Sequence, residues 1–378
     1  MKTAIYQPVV PYYRIALFNE LSVLMKGNLQ VHASMTMQGN PDTCLKDSAF
    51  LFINHEAISV LRNQIFWQKN LDVPKDFCRG DVIVFNGNPR MISNFGLISQ
   101  AKRKKLALVW WGQGWSATSR PLQAWIRRLM SQRLADVLLL YNEHERRQYI
   151  DYGFPEDRIF AANNTVDTNP IRTNCERWTS SMLSDFKEQH GLTEKKLLLF
   201  CGRLSLKTKL DMLINVLPRL RLNHPDVLLA IIGEGPELSK LKSQALKLDI
   251  SDNILWLGQH YDQDYLTPWF LSADCFVYPG AIGLSIVQAF AHGLPVLTHN
   301  NPKKQMPEYS YLSEGYNGFT YEYNSADALQ NKLVSIFHDQ QKLLSMRKNA
   351  LETVKKYSMS NMVNNFYTAI QKASSISR

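Results

Sequence analysis

The sequence lacks any apolar run long enough to cross a bilayer, which takes roughly 18 residues. Its longest apolar runs, residues 137–140, 197–200 and 227–232, have the length of strands. Pro8 and Pro11 interrupt the short apolar run at the start of the chain, so we expect no secretory signal there. These observations predict a protein that works in the cytoplasm.

Cysteine is scarce and shows no pattern. The five cysteines lie apart, without the CxxC pair or the ligand spacing of a metal site. Such usage argues against a disulfide framework and fits a reducing compartment. Cys201 and Cys275 fall within apolar runs, where we expect them to fill a hydrophobic core.

Acidic residues are outnumbered by basic ones. The 378 residues include 43 Lys and Arg against 33 Asp and Glu, which gives a formal net charge of +10. This excess favours an anionic partner, such as a phosphorylated substrate, a membrane surface or nucleic acid. The sequence has no RNP, zinc-finger or helix-turn-helix signature, so we expect no nucleic acid partner.

The chain does contain a repeated alternation of short apolar strands and amphipathic helices, which is typical of parallel α/β sheets. The alternation occurs in both halves, and 378 residues are many for one core, so we predict two domains. We assign residues 1–178 to the first domain and 179–357 to the second. The amphipathic segment 358–378 is predicted to pack back on the first domain.

Three strand ends of the second domain carry glycine. These residues are Gly202, Gly233 with Gly235, and Gly280 with Gly283. Because the carboxyl ends of parallel strands share one edge of a sheet, the glycines are predicted to line one crevice. Arg203, Lys207 and Lys209 lie close by in sequence, and Ser285 is placed to cap the helix that follows. Together these features favour a nucleotide-diphosphate site.

The second half also carries several short motifs in a fixed order, which are Gly202-Arg203-Leu204, Ile231 to Leu238, Asp274 to Pro279, Gly283-Leu284, Gly293 to Val296, Pro307-Glu308 and Asn317-Gly318. With them the chain resembles the GT-B glycosyltransferases of family 4, nearly throughout the second domain and more thinly in the first. The resemblance implies two Rossmann-like α/β domains facing across a cleft, with the acceptor and membrane side first and the donor side second.

The resemblance also implies a function. It points to a retaining glycosyltransferase that moves a sugar from a nucleotide-diphosphate sugar to a lipid-linked or glycan acceptor, in the synthesis of surface polysaccharide. Close relatives extend lipid-linked oligosaccharides, which implies a protein held on the inner face of the cytoplasmic membrane.

In that family an Arg and a Lys after the first strand of the second domain hold the donor diphosphate. The resemblance implies that Arg203 is catalytic, together with Lys207 or Lys209. The lysine is one of these two because strict spacing places Thr208 at the family's lysine position. Donor contacts are expected from a wider set, which is Gly202, Gly233, Gly235, Gly280, Ile282, Gly283, Leu284, Ser285, Gln288 and Glu308.

The chain departs from the family pattern at three positions. Two glutamates of the family, with seven residues between them, fall on Gly280 and Gln288, and Gln113 stands where relatives often have His. Gln288 can still bond a ribose hydroxyl, whereas Gly280 leaves sugar recognition to the backbone of residues 281–284 or to another residue. The departures leave open a nucleotide-sugar epimerase of GT-B fold and a non-catalytic nucleotide-sugar-binding subunit of a polysaccharide assembly complex.

Retaining transfer in this fold is thought to need little from a protein base, because the departing phosphate can take the acceptor's proton. We therefore expect no metal and no other cofactor, the nucleotide sugar being a co-substrate. Asp262 and Asp264 have the spacing of a DxD metal motif, but they follow Gly258 in a polar loop and are predicted to form a solvated turn.

Two residues of the first domain are candidates for contacts with the acceptor. Tyr13 and Arg14 follow the first predicted strand, where they either contact substrate or cap the helix that follows and cover the core. Gln113, at the end of a later predicted strand, is the third acceptor-side candidate.

A basic segment of the first domain is a candidate membrane surface. Residues 102–133 hold eight basic residues, Arg120 among them, and no acidic one. A helix is predicted from Pro121, with Arg127 and Arg128 opposite an apolar face. That face consists of Leu122, Trp125, Ile126, Leu129 and Met130. The helix either lies on an anionic membrane or packs on the core with its arginines in water.

Overall fold

The structure, a computed structural model, describes residues 1–37, 42–60, 65–114 and 121–377. It divides into two units, one formed by Met1–Asp167 with Ser358–Arg378 and the other by Thr168–Tyr357. Each unit is built on a parallel sheet, which confirms the predicted α/β class.

Within the described ranges, the first unit has a seven-stranded sheet in the order β3-β2-β1-β6-β7-β8-β9, and every pairing in it is parallel. A short antiparallel pair, β4 with β5, stands beside it. The strands are β1 Thr3–Tyr6, β2 Leu29–Ala33, β3 Leu51–Asn54, β4 Ala57–Val60, β5 Ile65–Gln68, β6 Val82–Asn86, β7 Ala107–Gly112, β8 Val137–Leu140 and β9 Ile159–Ala161. The helices that connect them are α1 Ile15–Leu24, α2 Ser93–Arg103, α3 Pro121–Leu134 and α4 Glu143–Asp151.

The second unit is described throughout and has a six-stranded parallel sheet in the order β12-β11-β10-β13-β14-β15. Its strands are β10 Lys196–Cys201, β11 Val227–Ile232, β12 Ile254–Gly258, β13 Cys275–Val277, β14 Val296–His299 and β15 Gly318–Tyr321. Its helices are α5 Asn169–Arg177, α6 Ser180–Gln189, α7 Leu210–Asn223, α8 Leu238–Lys247, α9 Gln263–Ser272, α10 Ser285–Ala291, α11 Ala326–His338 and α12 Gln340–Lys355.

The boundary between the units differs from the predicted one. Residues 169–177, read from sequence as the polar end of the first domain, form α5 and pack against α9 of the second unit. Asn174 donates a hydrogen bond to the Asp264 carboxylate, and Arg177 forms an ion pair of 3.2 Å with it. Because these contacts fix α5 to the second unit, that unit begins at Thr168 and not at residue 179.

The last helix, α13 Met359–Ser377, returns to the first unit and lies against α1, β7 and β8. Its buried residues Met362, Val363, Phe366 and Ile370 join one hydrophobic core with α1 and the strands. Phe366 meets the Trp111 ring edge to face, with 4.7 Å between the ring centroids. A second core fills the opposite face of the sheet, under α2 and α4. The amphipathic pattern of the C-terminal segment thus matches a helix that completes one layer of the first unit.

Candidate functional site

The glycine turns of the second unit meet at the carboxyl edge of its sheet, as their positions after β10, β11 and β13 predict. They meet by packing on one another. A methyl group built on Gly233 would lie 1.9 Å from the Gly202 carbonyl oxygen, and one on Gly235 would lie 2.1 Å from that of Leu204. The Gly202 N–H donates to the Ile232 oxygen over 2.9 Å. Gly233 and Gly235, predicted as donor contacts, therefore have their side-chain positions filled by the neighbouring turn.

Gly280 is likewise closed by protein backbone. A methyl group at this position would lie 1.9 Å from the Lys207 carbonyl oxygen and 2.7 Å from the Thr208 carbonyl carbon. The next residue, Ala281, donates its N–H to the same Lys207 oxygen over 3.2 Å. The space that a glutamate side chain would use at this position is therefore occupied by residues 207 and 208.

The turn after Gly280 is held by a glutamine that the sequence analysis did not single out. Gln305 is buried, and its side-chain oxygen accepts the Ile282 N–H over 2.8 Å. Its amide nitrogen donates to the Thr298 hydroxyl and to the His299 carbonyl, both over 2.9 Å. Nothing in the local sequence marks this role, since it depends on residues that come together only in the fold.

The backbone of residues 281–284 was predicted to be available to the donor sugar. Two of its four N–H groups are already used within the protein. The N–H groups of Ala281 and Ile282 donate to Lys207 and Gln305, as described above. The Ile282 side chain is fully buried, so its prediction as a donor contact is wrong. Within the described ranges, the N–H groups of Gly283 and Leu284 donate to no protein acceptor.

Ser285 was predicted to cap the helix after the turn, and this is corrected by the structure. The helix α10 begins with Ser285, and the cap position is occupied by Leu284, which makes no side-chain capping bond. Ser285 is partly exposed in the first helical turn. The Ser285 N–H and hydroxyl therefore lie beside Gly283 and Leu284 at the start of α10.

Two further predicted donor residues lie around this turn. Glu308 is buried in a short 3-10 segment, and its Oε2 lies 3.8 Å from the point where Gly283 would carry a side chain. Gln288 is partly exposed on α10, and its carbonyl accepts a hydrogen bond of 2.8 Å from Nδ1 of His292. The structure thus brings Glu308 to the turn that Gly283 forms.

The predicted cationic residues differ in their exposure and in their contacts. Arg203 and Lys207 are exposed. Thr208, which occupies the family's lysine position, is buried and donates its hydroxyl to the Ser205 carbonyl over 2.7 Å. Arg203 and Lys207 can therefore approach a ligand, whereas Thr208 supports its own turn.

Lys209 is engaged within the unit. It adopts the left-handed conformation (φ 49°) immediately before α7. Its ammonium lies 3.9 Å from the centroid of the Tyr323 ring and bonds Asn324. Burial, and secondarily the Lys209 charge, lower the pKa of His299 to about 4. Between the two candidate lysines, Lys207 is the one with an exposed side chain.

No metal-binding cluster of three or more His, Cys, Asp or Glu side chains occurs in the described ranges. The DxD-like pair lies at the start of α9, where Asp262 caps the helix by accepting the Asp264 N–H over 3.0 Å. Asp264 bonds Asn174 and Arg177. These two carboxylates thus have structural partners.

In the first unit, Arg14 is buried, with 7% of its surface exposed. It stands at the cap position of α1 and makes no side-chain capping bond. Its Nη2 donates to the Asn164 side-chain oxygen over 2.5 Å, and its guanidinium lies 5.1 Å from the centroid of the Trp111 ring. Tyr13 and Arg14 line a cavity of about 140 Å³ in this unit.

Gln113, the third acceptor-side candidate, is partly exposed after β7. The Gly114 N–H donates to the Glu145 carboxylate over 2.9 Å, and a methyl group on Gly114 would lie 2.6 Å from the Tyr149 ring. Glu145 and Tyr149 of α4 therefore fix the turn that carries Gln113, although Gln113 is not among the residues that line the cavity.

The first half of helix α3 carries its predicted apolar face outward. Its apolar residues Leu122, Trp125 and Ile126 are 65%, 51% and 40% exposed. The later residues Met130 and Leu134 pack against the core under the sheet. The first half of α3 therefore presents an apolar surface, whereas its second half is anchored to the unit.

The two arginines predicted opposite the apolar face of α3 are partly covered. Burial lowers the pKa of Arg127, although Tyr149 and Glu145 act in the opposite direction. Arg128 lies over the Tyr152 ring, 3.9 Å from its centroid. Arg120, also part of the basic segment, lies outside the described residues. No helix among those described is long and apolar enough to span a membrane.

Comparison with known proteins identifies the second unit. The glycosyl transferases group 1 family matches residues 184–353, all of which lie in that unit. Residues 184–353 are a group 1 glycosyltransferase domain.

Curated relatives of the glycosyltransferase domain are themselves named as transferases. The chain is 27% identical over 194 residues to a GDP-mannose-dependent phosphatidylinositol monomannoside mannosyltransferase of Mycolicibacterium smegmatis, covering 49% of this chain and 48% of that protein. It is 28% identical over 173 residues to a sulfoquinovosyl transferase of Arabidopsis thaliana, covering 44% and 32%. The chain thus spans less than half of each of these relatives.

Solved structures share the fold of this chain over nearly its whole length. HepE of Anabaena, in complex with UDP, has a TM-score of 0.73 at 15% identity, covering 97% of this chain and 98% of that one. A mutant form of TarM of Staphylococcus aureus, in complex with fondaparinux, alpha-GlcNAc-glycerol and UDP, has a TM-score of 0.67 at 11% identity, covering 98% of this chain and 100% of that one. The glycosyltransferase domain is therefore the second of two α/β domains in a GT-B fold.

Proposed function

We propose that the chain transfers a sugar, with retention, from a nucleotide-diphosphate sugar to a lipid-linked or glycan acceptor in the synthesis of a surface polysaccharide. The observation that supports this best is the exposed Arg203, which follows β10 in the group 1 domain at the edge where the glycine turns meet. The HepE and TarM structures, which share the fold, are complexes with UDP. All the relatives described above are named as transferases, so the epimerase and binding-subunit alternatives are not favoured.

The proposed chemistry uses cations and backbone donors. The bond between the sugar's anomeric carbon and the diphosphate breaks, a bond to the acceptor oxygen forms on the same face, and the acceptor's proton passes to the departing phosphate. Arg203 and Lys207 offset the charge that develops on the diphosphate. The N–H groups of Gly283, Leu284 and Ser285 add hydrogen-bond donors without any titratable base. Since these groups supply the positive charge, we propose that transfer needs no metal.

We also propose that the protein works at the inner face of the cytoplasmic membrane. Leu122, Trp125 and Ile126 form an exposed apolar surface on a chain of net charge +10. Apolar side chains of this size enter the headgroup boundary of a bilayer, and the charge favours anionic lipids. The mannosyltransferase relative is named for a phosphatidylinositol acceptor, which supports a lipid-linked acceptor here.

The test of transfer uses the full chain, host membranes and a panel of UDP-, GDP- and ADP-sugars. We expect release of nucleotide that depends on acceptor, and no loss of activity in EDTA. Arg203→Ala should lower kcat by at least about 100-fold, as removal of a preorganised charge donor does. Arg219→Ala is the matched control, because Arg219 is an exposed arginine of the same unit that pairs with Asp327 on the helix face. Full activity of Arg203→Ala, with an unchanged melting temperature, would refute the assigned diphosphate site.

A further inference from the structure

The first unit contains a cavity with an unusual surplus of hydrogen-bond donors. It has a volume of about 140 Å³, and its polar lining comes from Gln7, Tyr13, Arg14, Asn86, Trp111 and Tyr141. None of these side chains is acidic. The lining therefore combines a permanent positive charge, which Arg14 carries, with neutral polar and aromatic groups.

The Arg14 guanidinium has only neutral partners. It bonds the Asn164 amide over 2.5 Å, lies 3.7 Å from the Met362 sulfur, and stacks near the Tyr13 and Trp111 rings at 5.3 and 5.1 Å. Among the described residues, no carboxylate lies within 4 Å of it. A buried charge without a counterion is unfavourable unless a ligand or solvent supplies one.

Two further donors in the lining have no acceptor. The Trp111 indole N–H and the Gln7 amide nitrogen are buried and donate no hydrogen bond within the part of the chain that the structure describes, whereas the Gln7 amide oxygen accepts one from the Asn86 side chain over 3.3 Å. Leaving such a group unsatisfied costs about 1–3 kcal/mol, so an oxygen-rich ligand group that reaches it is favoured. Arg14 also directly precedes α1, whose N-terminal end adds positive potential at the same place.

We infer that this cavity binds a carboxylate or phosphate group of the acceptor, through Arg14 with the Trp111 and Gln7 donors. The assignment to the acceptor rests on the proposed function, whereas binding of the anion does not. The acceptor is then acidic, carrying either a sugar acid or a phosphate ester next to the sugar that is extended. The neutral aromatic walls formed by Tyr13 and Trp111 suit the apolar face of a sugar ring beside that charge.

The inference is tested first on the unaltered chain, by titration with inorganic phosphate, glucuronate and glucose. The indole N–H signals of the eight tryptophans are followed by NMR, and Trp111→Phe identifies the signal of Trp111. We expect glucuronate or phosphate to shift the Trp111 signal saturably, with the other indoles as internal references. Tighter binding of glucuronate indicates a sugar acid, and tighter binding of phosphate indicates a phosphate ester. No anion-dependent shift, or an equal shift with glucose, would overturn the inference.

Calorimetry on variants then tests the role of Arg14. Arg14→Gln is expected to weaken binding of the preferred anion by about tenfold or more, since bonds to charged groups are among the strong ones. Arg158→Gln, an exposed arginine of the same unit, should bind it as the unaltered chain does. Equal affinity of Arg14→Gln and Arg158→Gln would refute the inference. If nucleotide sugars and acceptors give no transfer while the anion binds through Arg14, then the proposed function fails and the anion site stands.

Discussion

The contact between Gly280 and the turn at residues 207–208 leads to a prediction that a conservative change can test. In Gly280→Ala the added methyl group would lie 1.9 Å from the Lys207 oxygen, whereas ordinary contacts begin near 3.4 Å. The two turns must therefore separate by roughly 1.5 Å. Overpacking of this kind costs about 1–3 kcal/mol, and loss of the bond from Ala281 to Lys207 adds about 1 kcal/mol.

The same substitution three residues later is the matched control. A methyl group on Gly283 would lie 3.7 Å or more from its nearest neighbours, Met306 and Glu308, which is ordinary contact. Gly283→Ala should leave stability unchanged or raise it by up to about 1 kcal/mol, because the unfolded chain loses freedom. Gly280→Ala should lower the free energy of unfolding by about 2–3 kcal/mol, once the gain from the reduced freedom of the unfolded chain is subtracted.

The measurement is the melting temperature of the second unit, determined by calorimetry. For a unit of this size about 2–3 kcal/mol corresponds to a fall in melting temperature of roughly 5–10 °C. Equal melting temperatures for Gly280→Ala and Gly283→Ala would show that the two turns do not touch. For the same steric reason Gly280→Glu should lower activity.

Three further predictions concern other parts of the chain. Burial lowers the pKa of His292 to about 4, so the unfolded chain binds this proton first as pH falls below about 6.5. This histidine alone should lower the stability of the second unit by about 2 kcal/mol by pH 5, and His292→Gln should reduce the dependence of melting temperature on pH by that contribution. Leu122→Ser with Trp125→Ser should release the protein from anionic vesicles in co-sedimentation, and unchanged binding would contradict the membrane proposal. Gln305→Ala should lower stability by about 1–3 kcal/mol and raise KM for the nucleotide sugar, since Ile282 loses its acceptor; an unchanged KM would separate the glutamine from the donor turn.

Much of the second unit could be read from the sequence, because its signals are local. An apolar run followed by glycine and a helix defines each repeat, so the alternation at 197–204 and 227–238 gave the sheet and its functional edge. The same logic placed Arg203 at that edge. The close packing at Gly280 could not be predicted in this way, because the neighbour there is the backbone of residues 207–208, some seventy positions earlier in the chain.

Which face of a helix packs on the protein was harder to predict, because this too depends on residues that are distant in the sequence. The pattern in α3 showed two faces, but an amphipathic pattern does not say which face packs, and Met130 and Leu134 turn the helix so that Trp125 is exposed. The polar composition of residues 169–177 gives no apolar periodicity, whereas in the fold they form α5 and contact Asp264 of α9 through Asn174 and Arg177. Such contacts exist only in the folded unit and produce no periodic pattern in the sequence.

The return of α13 to the first unit has a consequence for biosynthesis. The group 1 domain lies in one uninterrupted stretch and is complete once residue 357 has been made, whereas the first unit waits for residues 359–377. Until then the Trp111 ring lacks Phe366, and Arg14 lacks the Met362 sulfur beside it. The second unit therefore holds no residue after 357, whereas the Arg14 cavity has its complete surroundings only when the last helix is in place.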